Sequence, residues 1–147
     1  MGTFKVKGGN NLSGVIIPQG AKNEALQVIS AVLLTEKIVT IDNIPDIIDV
    51  NRLIDLLDNL GVTVKKINQN KYSFESKNID LDYLNTIDFE TKAKGLRGSI
   101  MIIGPLLSRF GKASIPKPGG DKIGRRKLDT HFEGLVKLGA NFKYDNK

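Results

Sequence analysis

Apolar side chains along this chain recur at two periods, and the switches between them mark its elements. Residues 4–7 and 12–17 alternate like short strands on either side of the turn Gly8-Gly9-Asn10-Asn11, and Pro18-Gln19-Gly20 ends that pattern. Residues 23–34 are apolar almost all the way round a helix (Ala25, Leu26, Val28, Ile29, Ala31, Val32, Leu33, Leu34), the mark of a buried helix that needs neighbours on every side. Residues 37–41 alternate as a strand. After Pro45, with Asp46 or Asp49 as a potential cap, Val50, Leu53, Ile54, Leu57 and Leu60 fall on one helical face that ends at Gly61. Residues 62–66 and 71–74 form a hairpin around Asn68-Gln69-Asn70, while residues 76–94 are polar and ambiguous. A second all-round apolar helix covers residues 99–107 with Gly104-Pro105 inside it. A strand over 112–115, a glycine-rich basic loop over 117–127, an amphipathic helix over 129–138 ending at Gly139 and a strand over 140–144 follow.

These elements repeat. Buried helix, strand, loop, amphipathic helix, Leu-Gly and strand run once through residues 22–66 and again through 97–144. Leu33-Leu34 matches Leu106-Leu107, and the stretch from Leu57 to Val62 matches that from Leu135 to Ala140. Units of this size cannot bury their apolar faces alone. The expected fold is therefore α/β (α+β), with repeated apolar helices in the middle and sheets and amphipathic helices outside. Two units cannot easily surround a central helix, so the domain is expected to be incomplete within these 147 residues.

Composition narrows the function classes. The chain has no cysteine and one histidine, His131, which leaves little for a disulfide scaffold, a zinc site or a Ser-His-Asp triad. No apolar run is long enough to span a membrane, and the N-terminus lacks the pattern of a signal peptide, so a soluble, cytoplasmic protein is expected. Charge is strongly segregated. Residues 1–91 carry 9 basic and 12 acidic side chains, whereas residues 92–127 carry 10 basic side chains against a single acid, Asp121. A solvated basic face and an anion site both fit that density.

The repeat locates a site. Lys22 stands at the entry to the first apolar helix and Arg97 at the entry to the second. A helix N-terminus already carries partial positive charge, so two cations at equivalent starts point to an anion that meets both, against the alternative that each extends into solvent. The loop Gly119-Gly120-Asp121-Lys122-Ile123-Gly124-Arg125-Arg126 is the strongest local signal. Its glycines allow backbone amides close to a phosphate, and Asp121 could change protonation when an anion arrives and act as an acid, or be a turn residue. Other motifs fail. Gly104 to Lys112 lacks P-loop spacing, Asp42, Asp46 and Asp49 lack the glycine and glutamate of a calcium loop, and Phe110 is the single aromatic in the basic segment, which leaves no stacking platform for bases.

Three of these motifs resemble, in order and spacing, those of the enolpyruvyl transferases: Gly20-Ala21-Lys22-Asn23-Glu24-Ala25-Leu26, then Leu96-Arg97-Gly98-Ser99-Ile100, then Pro118-Gly119-Gly120-Asp121-Lys122-Ile123-Gly124-Arg125-Arg126 with Asp129-Thr130-His131. The branch acting on UDP-N-acetylglucosamine is more similar than the shikimate branch, in which the first motif has Lys-Ser and a nearby Arg. The resemblance implies two domains of three repeated units each, with residues 1–20 packing on the second domain and residues 21–147 forming about two units of the first. It implies transfer of the enolpyruvyl group of phosphoenolpyruvate to the 3′-hydroxyl of UDP-N-acetylglucosamine with release of phosphate. That step is the first committed one of peptidoglycan synthesis, which would tie the chain to cell wall biogenesis, cell shape and the division cycle.

By the same resemblance, Lys22 and Asn23 hold the substrates. Arg97 and Arg126 meet phosphate and carboxylate groups, and Arg126, Lys127, Leu128, Asp129 and Thr130 contact the uridine diphosphate. Asp121 takes the place of a cysteine as general acid, the base lies in the second domain, and no cofactor or metal is required. The missing C-terminal part of the chain would be the one protein partner, with neither nucleic acid nor membrane involved. The competing expectation is a non-enzymatic module that binds anions or nucleic acid through the basic segment.

Overall fold

The structure is a computed structural model that describes residues 2–117, 119 and 128–143. Helix α1 (Lys22–Ala31) runs into a 3-10 turn (Val32–Leu34), followed by β1 (Val39–Ile41), α2 (Ile48–Asn59), β2 (Thr63–Asn68) and β3 (Lys71–Glu75). A 3-10 turn (Asp82–Asn85) leads into α3 (Ile87–Lys94). A longer 3-10 segment (Arg97–Ile102) then passes into α4 (Ile103–Phe110), and α5 (Asp129–Lys137) closes the described chain. The strands form one antiparallel sheet in the order β1-β3-β2, with Val39 opposite Phe74 and Val64 opposite the same Phe74 from the other side. A mixed helical fold with a small sheet is thus what the residue pattern called for.

The core is the apolar face of α2 set against α1, the 97–102 segment, α3 and the sheet. Val50, Leu53, Leu56 and Leu57 of α2 and its C-cap residue Leu60 are fully buried, and Ile29, Leu33, Phe74, Phe89, Ile102 and Leu106 join them. Helix α2 stops where expected: Gly61 takes φ 100, and Val62 N–H donates to the Leu57 carbonyl at 3.0 Å. The polar stretch before Arg97 resolves into α3. Thr86 caps it by accepting from Phe89 N–H at 3.1 Å, acids fill its first turn, and Lys92 and Lys94 fill its last.

Several expected elements differ. Residues 4–7 and 12–17 form no strand, and Phe4 (96% exposed) and Leu12 (95%) stand in solvent, because alternation makes a strand only where a second edge pairs with it. Residues 112–115 and 140–143 are not strands either, although Ala113 and Ile115 pack on the core. Helix α1 is buried on one side only: Ala25, Leu26 and Ile29 are inside, while Val28, like Leu34 in the turn that follows, is exposed. The second apolar helix is split by Gly104-Pro105. Proline has no N–H to donate backwards, so the chain is 3-10 up to Ile102 and an α-helix restarts with Pro105 in its first turn, where no donor is required. Neither Asp46 nor Asp49 caps α2: Ile47 holds the cap position without a side-chain bond, Asp46 accepts from the Asn51 amide at 2.7 Å, and Asp49 turns to Lys22.

Candidate functional site

Lys22 is the first residue of α1, and the cap residue Ala21 offers no side-chain acceptor to the helix start. The approach to it is tightly built. A Cβ on Gly20 would lie 2.0 Å from the carbonyl oxygen of Asn43, so only glycine lets the chain pass there. Lys22 Nζ donates to Asp49 Oδ2 at 3.0 Å, joining the first turns of α1 and α2. The cation at a helix start therefore already faces a carboxylate from the neighbouring helix. Both side chains are partly exposed, at 43% and 37%, so the pair is open to exchange for another anion. Asn23 is exposed on the same turn.

Arg97 opens the second apolar segment, again without a side-chain cap. Gly98 rests on α1: a Cβ there would sit 3.0 Å from Leu26 Cδ1. Leu26 is one helical turn from Lys22 on the same face, so this contact sets the start of the second segment beside the start of the first. The turn carrying Arg97 is pinned from three directions. Ser99 Oγ donates to the carbonyls of Leu96 (2.7 Å) and Ala93 (2.9 Å), and Arg52 of α2 donates to the Gly95 carbonyl at 3.3 Å. Gly119 N–H donates to the Lys94 carbonyl at 3.0 Å, and a Cβ on Gly119 would lie 2.2 Å from that oxygen. The first glycine of the basic loop is thereby moored three residues before Arg97.

Asp121, Arg126 and Lys127 lie outside the described residues. Leu128 is half-buried at the cap position of α5, and Asp129 sits in its first turn, where the helix dipole favours an acid. Thr130 and His131 line an apolar groove of about 420 Å³ between α5 and the 97–104 stretch, with Ile100, Met101, Ile103 and Gly104 opposite. Lys22, Arg97 and the mooring of the glycine loop thus share one region, and the start of α5 flanks the segment that Arg97 opens.

Three cations of the basic segment are matched by acids in space. Lys92 pairs with Asp55 (3.1 Å) and Asp88 (3.3 Å), Lys94 with Glu90, and Arg109 with Glu36 (3.0 Å). Burial works against the charge on Lys92, but Asp55 and Asp88 outweigh it and hold its pKa above the ordinary lysine value. The Tyr83 hydroxyl donates to Asp88 Oδ2 at 2.5 Å. That bond, with Lys92, holds the Asp88 carboxyl below the usual range, while burial and Asp88 push the Tyr83 phenol up. Among the described residues of the basic stretch, Lys92, Lys94 and Arg109 therefore face carboxylates, whereas Lys112 and Lys117 are exposed. Among the described residues no cluster of metal-ligating side chains occurs, and no helix is long and apolar enough to cross a membrane. Reading the residues alone missed Asp49 as the partner of Lys22 and Arg52 as the donor to the Arg97 turn. Each sits at a polar position of α2, and the pattern carries no sign of what it faces.

Known proteins match this chain over nearly its whole length. Residues 6–147 match the family described as EPSP synthase (3-phosphoshikimate 1-carboxyvinyltransferase). The UDP-N-acetylglucosamine 1-carboxyvinyltransferase of Bacteroides thetaiotaomicron is 59% identical over 145 residues, covering 99% of this chain and 33% of that protein. That of Porphyromonas gingivalis is 56% identical over 144 residues, covering 98% of this chain and 33% of that protein. The chain thus spans about a third of the length of these curated relatives. Among solved structures, the enolpyruvyl transferase NikO from Streptomyces tendae shares the fold, with a TM-score of 0.52 and 24% identity over 71% of this chain and 23% of that one.

Proposed function

This chain belongs to the EPSP synthase (3-phosphoshikimate 1-carboxyvinyltransferase) family, and from that membership we propose that it supplies the phosphoenolpyruvate-facing part of a transferase acting on UDP-N-acetylglucosamine. The observation that carries this reading is the 59% identity to a UDP-N-acetylglucosamine 1-carboxyvinyltransferase across nearly the whole chain. The side-by-side starts of the segments opened by Lys22 and Arg97 support it. In the reaction the 3′-hydroxyl of the sugar gives its proton to a base as its oxygen bonds to C2 of phosphoenolpyruvate, and the methylene carbon of phosphoenolpyruvate takes up a proton from an acid. Loss of a proton from that carbon and of phosphate from C2 then restores the double bond. The protein has no redox step to perform. Its work is to bring two anions together and to place an acid and a base.

Lys22, released from Asp49, meets the phosphate or carboxylate of phosphoenolpyruvate together with Arg97 and Arg126, and Asn23 orients the acceptor sugar. Residues 126–130 receive the uridine diphosphate, and Asp121 delivers the proton to the methylene carbon. The base belongs to a second domain outside these residues. Residues 1–20 pack on that domain, and residues 21–147 form the first two units of the first domain. Such an enzyme would act in the cytoplasm at the first committed step of peptidoglycan synthesis.

The test is phosphate release from phosphoenolpyruvate in the presence of UDP-N-acetylglucosamine. The complete polypeptide carrying this sequence should release phosphate and form the enolpyruvyl sugar, whereas residues 1–147 alone should not. Asp121→Asn should slow the complete enzyme by about 10²–10⁴-fold, the usual contribution of a general acid. A carboxylate is a weak nucleophile toward an epoxide, so the wild type should resist fosfomycin and Asp121→Cys should become sensitive while staying active. Absence of turnover by the complete polypeptide, or a fully active Asp121→Asn, would overturn the assignment.

A further inference from the structure

Arg109 lies in the last turn of α4, at the opposite end of its segment from Arg97, and its side chain is only 14% exposed. Its Nη1 donates to the carbonyl oxygens of Ser76 (2.7 Å) and Leu33 (3.1 Å), and its Nη2 donates to Glu36 Oε1 at 3.0 Å. The guanidinium also lies over the Phe110 ring, 4.7 Å from its centroid. One side chain therefore joins three pieces of backbone: the end of the first apolar segment, the exit from β3, and the end of the second apolar segment. The Leu33 carbonyl belongs to the turn that ends the first segment, where a carbonyl lacks a partner within the helix and a cation is favoured by the dipole.

The two segments joined at their ends by Arg109 are the two that begin with Lys22 and Arg97. At their starts they are held by Gly98 against Leu26. Between these two points the segments pack through Ile29, Leu33, Ile102 and Leu106, but apolar packing has no fixed direction, and a clamp at the far ends adds donors that do. A planar guanidinium with donors in fixed directions sets such an angle better than the single ammonium of lysine. We propose that Arg109 is a positioning residue for the anion site: without touching substrate, it fixes the spacing of Lys22 and Arg97 by clamping the far ends of the segments they open. The proposal rests on Lys22 and Arg97 being the anion ligands, and the test separates the two claims.

The experiment measures KM for phosphoenolpyruvate and kcat in the complete polypeptide, for Arg109→Gln and Arg109→Lys, at a temperature where circular dichroism finds each fully folded. Arg109→Gln should raise KM about tenfold with a smaller change in kcat, since binding is what the spacing serves. Arg109→Lys, which keeps the charge and loses the fork, should fall between it and wild type. In a Lys22→Ala background Arg109→Gln should raise KM by less than about twofold, because the ligand through which it acts is already gone. Glu36→Gln, which loosens one arm of the clamp, should raise KM about two- to threefold and serves if Arg109→Gln does not fold. A lowered melting temperature with KM within about twofold of wild type would overturn the proposal and leave Arg109 a structural staple. If Lys22→Ala and Arg97→Ala themselves leave KM unchanged, the site assignment fails, and the clamp has nothing to position.

Discussion

Helices α2 and α5 match in the sequence repeat, yet they meet different fates. Both are amphipathic, both end in Leu-Gly, and both glycines adopt the left-handed backbone, Gly61 at φ 100 and Gly139 at φ 98. Helix α2 buries Val50, Leu53, Leu56 and Leu57 completely, whereas α5 buries none of its residues and leaves Leu138 at 86% exposure. What separates them is the surroundings. The β2–β3 hairpin, α1 and α3 close over α2, while α5 faces the 420 Å³ groove and, among the described residues, no strand follows it. Local signals are thus enough to start and stop a helix, and burial is decided by what the rest of the chain brings to it.

The sharpest way to probe that difference is to truncate the matching leucines, Leu57 and Leu135. Leu57→Ala opens a cavity in a closed core and should cost about 3 kcal/mol in urea unfolding of this chain, while Leu135→Ala, half-exposed on the groove, should cost under about 1 kcal/mol. Equal losses would mean that α5 is packed as α2 is. A smaller effect is expected at the start of α3, the helix that helps close α2. Thr86→Ala removes the acceptor for Phe89 N–H and should destabilise the chain by about 1 kcal/mol, read by the same unfolding curves.

The smallest effect is a matter of pH. The Tyr83 hydroxyl and Lys92 hold the Asp88 carboxyl below its ordinary value in the folded chain. The unfolded state then binds a proton at a higher pH than the folded state does. Asp88 therefore contributes stability that is present above the ordinary carboxylate range and lost as pH falls through the depressed value. Asp88→Asn should flatten the acid limb of a melting-temperature profile below about pH 4 and leave the slope near neutrality unchanged. An unaltered acid limb would mean that the exposed pair is fully screened.

The sequence was most legible where one short-range rule decided the outcome. The α2 face, the Gly61 stop, the 62–74 hairpin and the apolar segments after Lys22 and Arg97 all follow from periodicity and glycine placement. Less legible was anything that needed a distant partner. The strands expected over residues 4–7 and 12–17 require a second edge, and the all-round burial of α1 requires neighbours that the described chain supplies on one side only. Charge counts along the chain likewise carry no sign that Asp55, Asp88, Glu90 and Glu36 fold back onto Lys92, Lys94 and Arg109. Lys22 and Arg97 stand out in the repeat, but that their segments start side by side depends on Gly98 meeting Leu26, and that Asp49 faces Lys22 instead of capping α2 depends on how α1 and α2 pack.

The central claim is that Lys22 and Arg97 serve one bound anion. The measurement that meets it most directly is a double-mutant cycle on kcat/KM for phosphoenolpyruvate in the complete polypeptide, using Lys22→Ala, Arg97→Ala and the pair. Each single change should cost about 1.5–3 kcal/mol, the usual value of a hydrogen bond to a charged group, with Lys22 the larger. The pair should depart from the sum of the singles by about 1 kcal/mol or more, because both ligands hold the same group. Losses that add to within about 0.5 kcal/mol, or single variants within about twofold of wild type, would contradict it and return both side chains to the solvated surface.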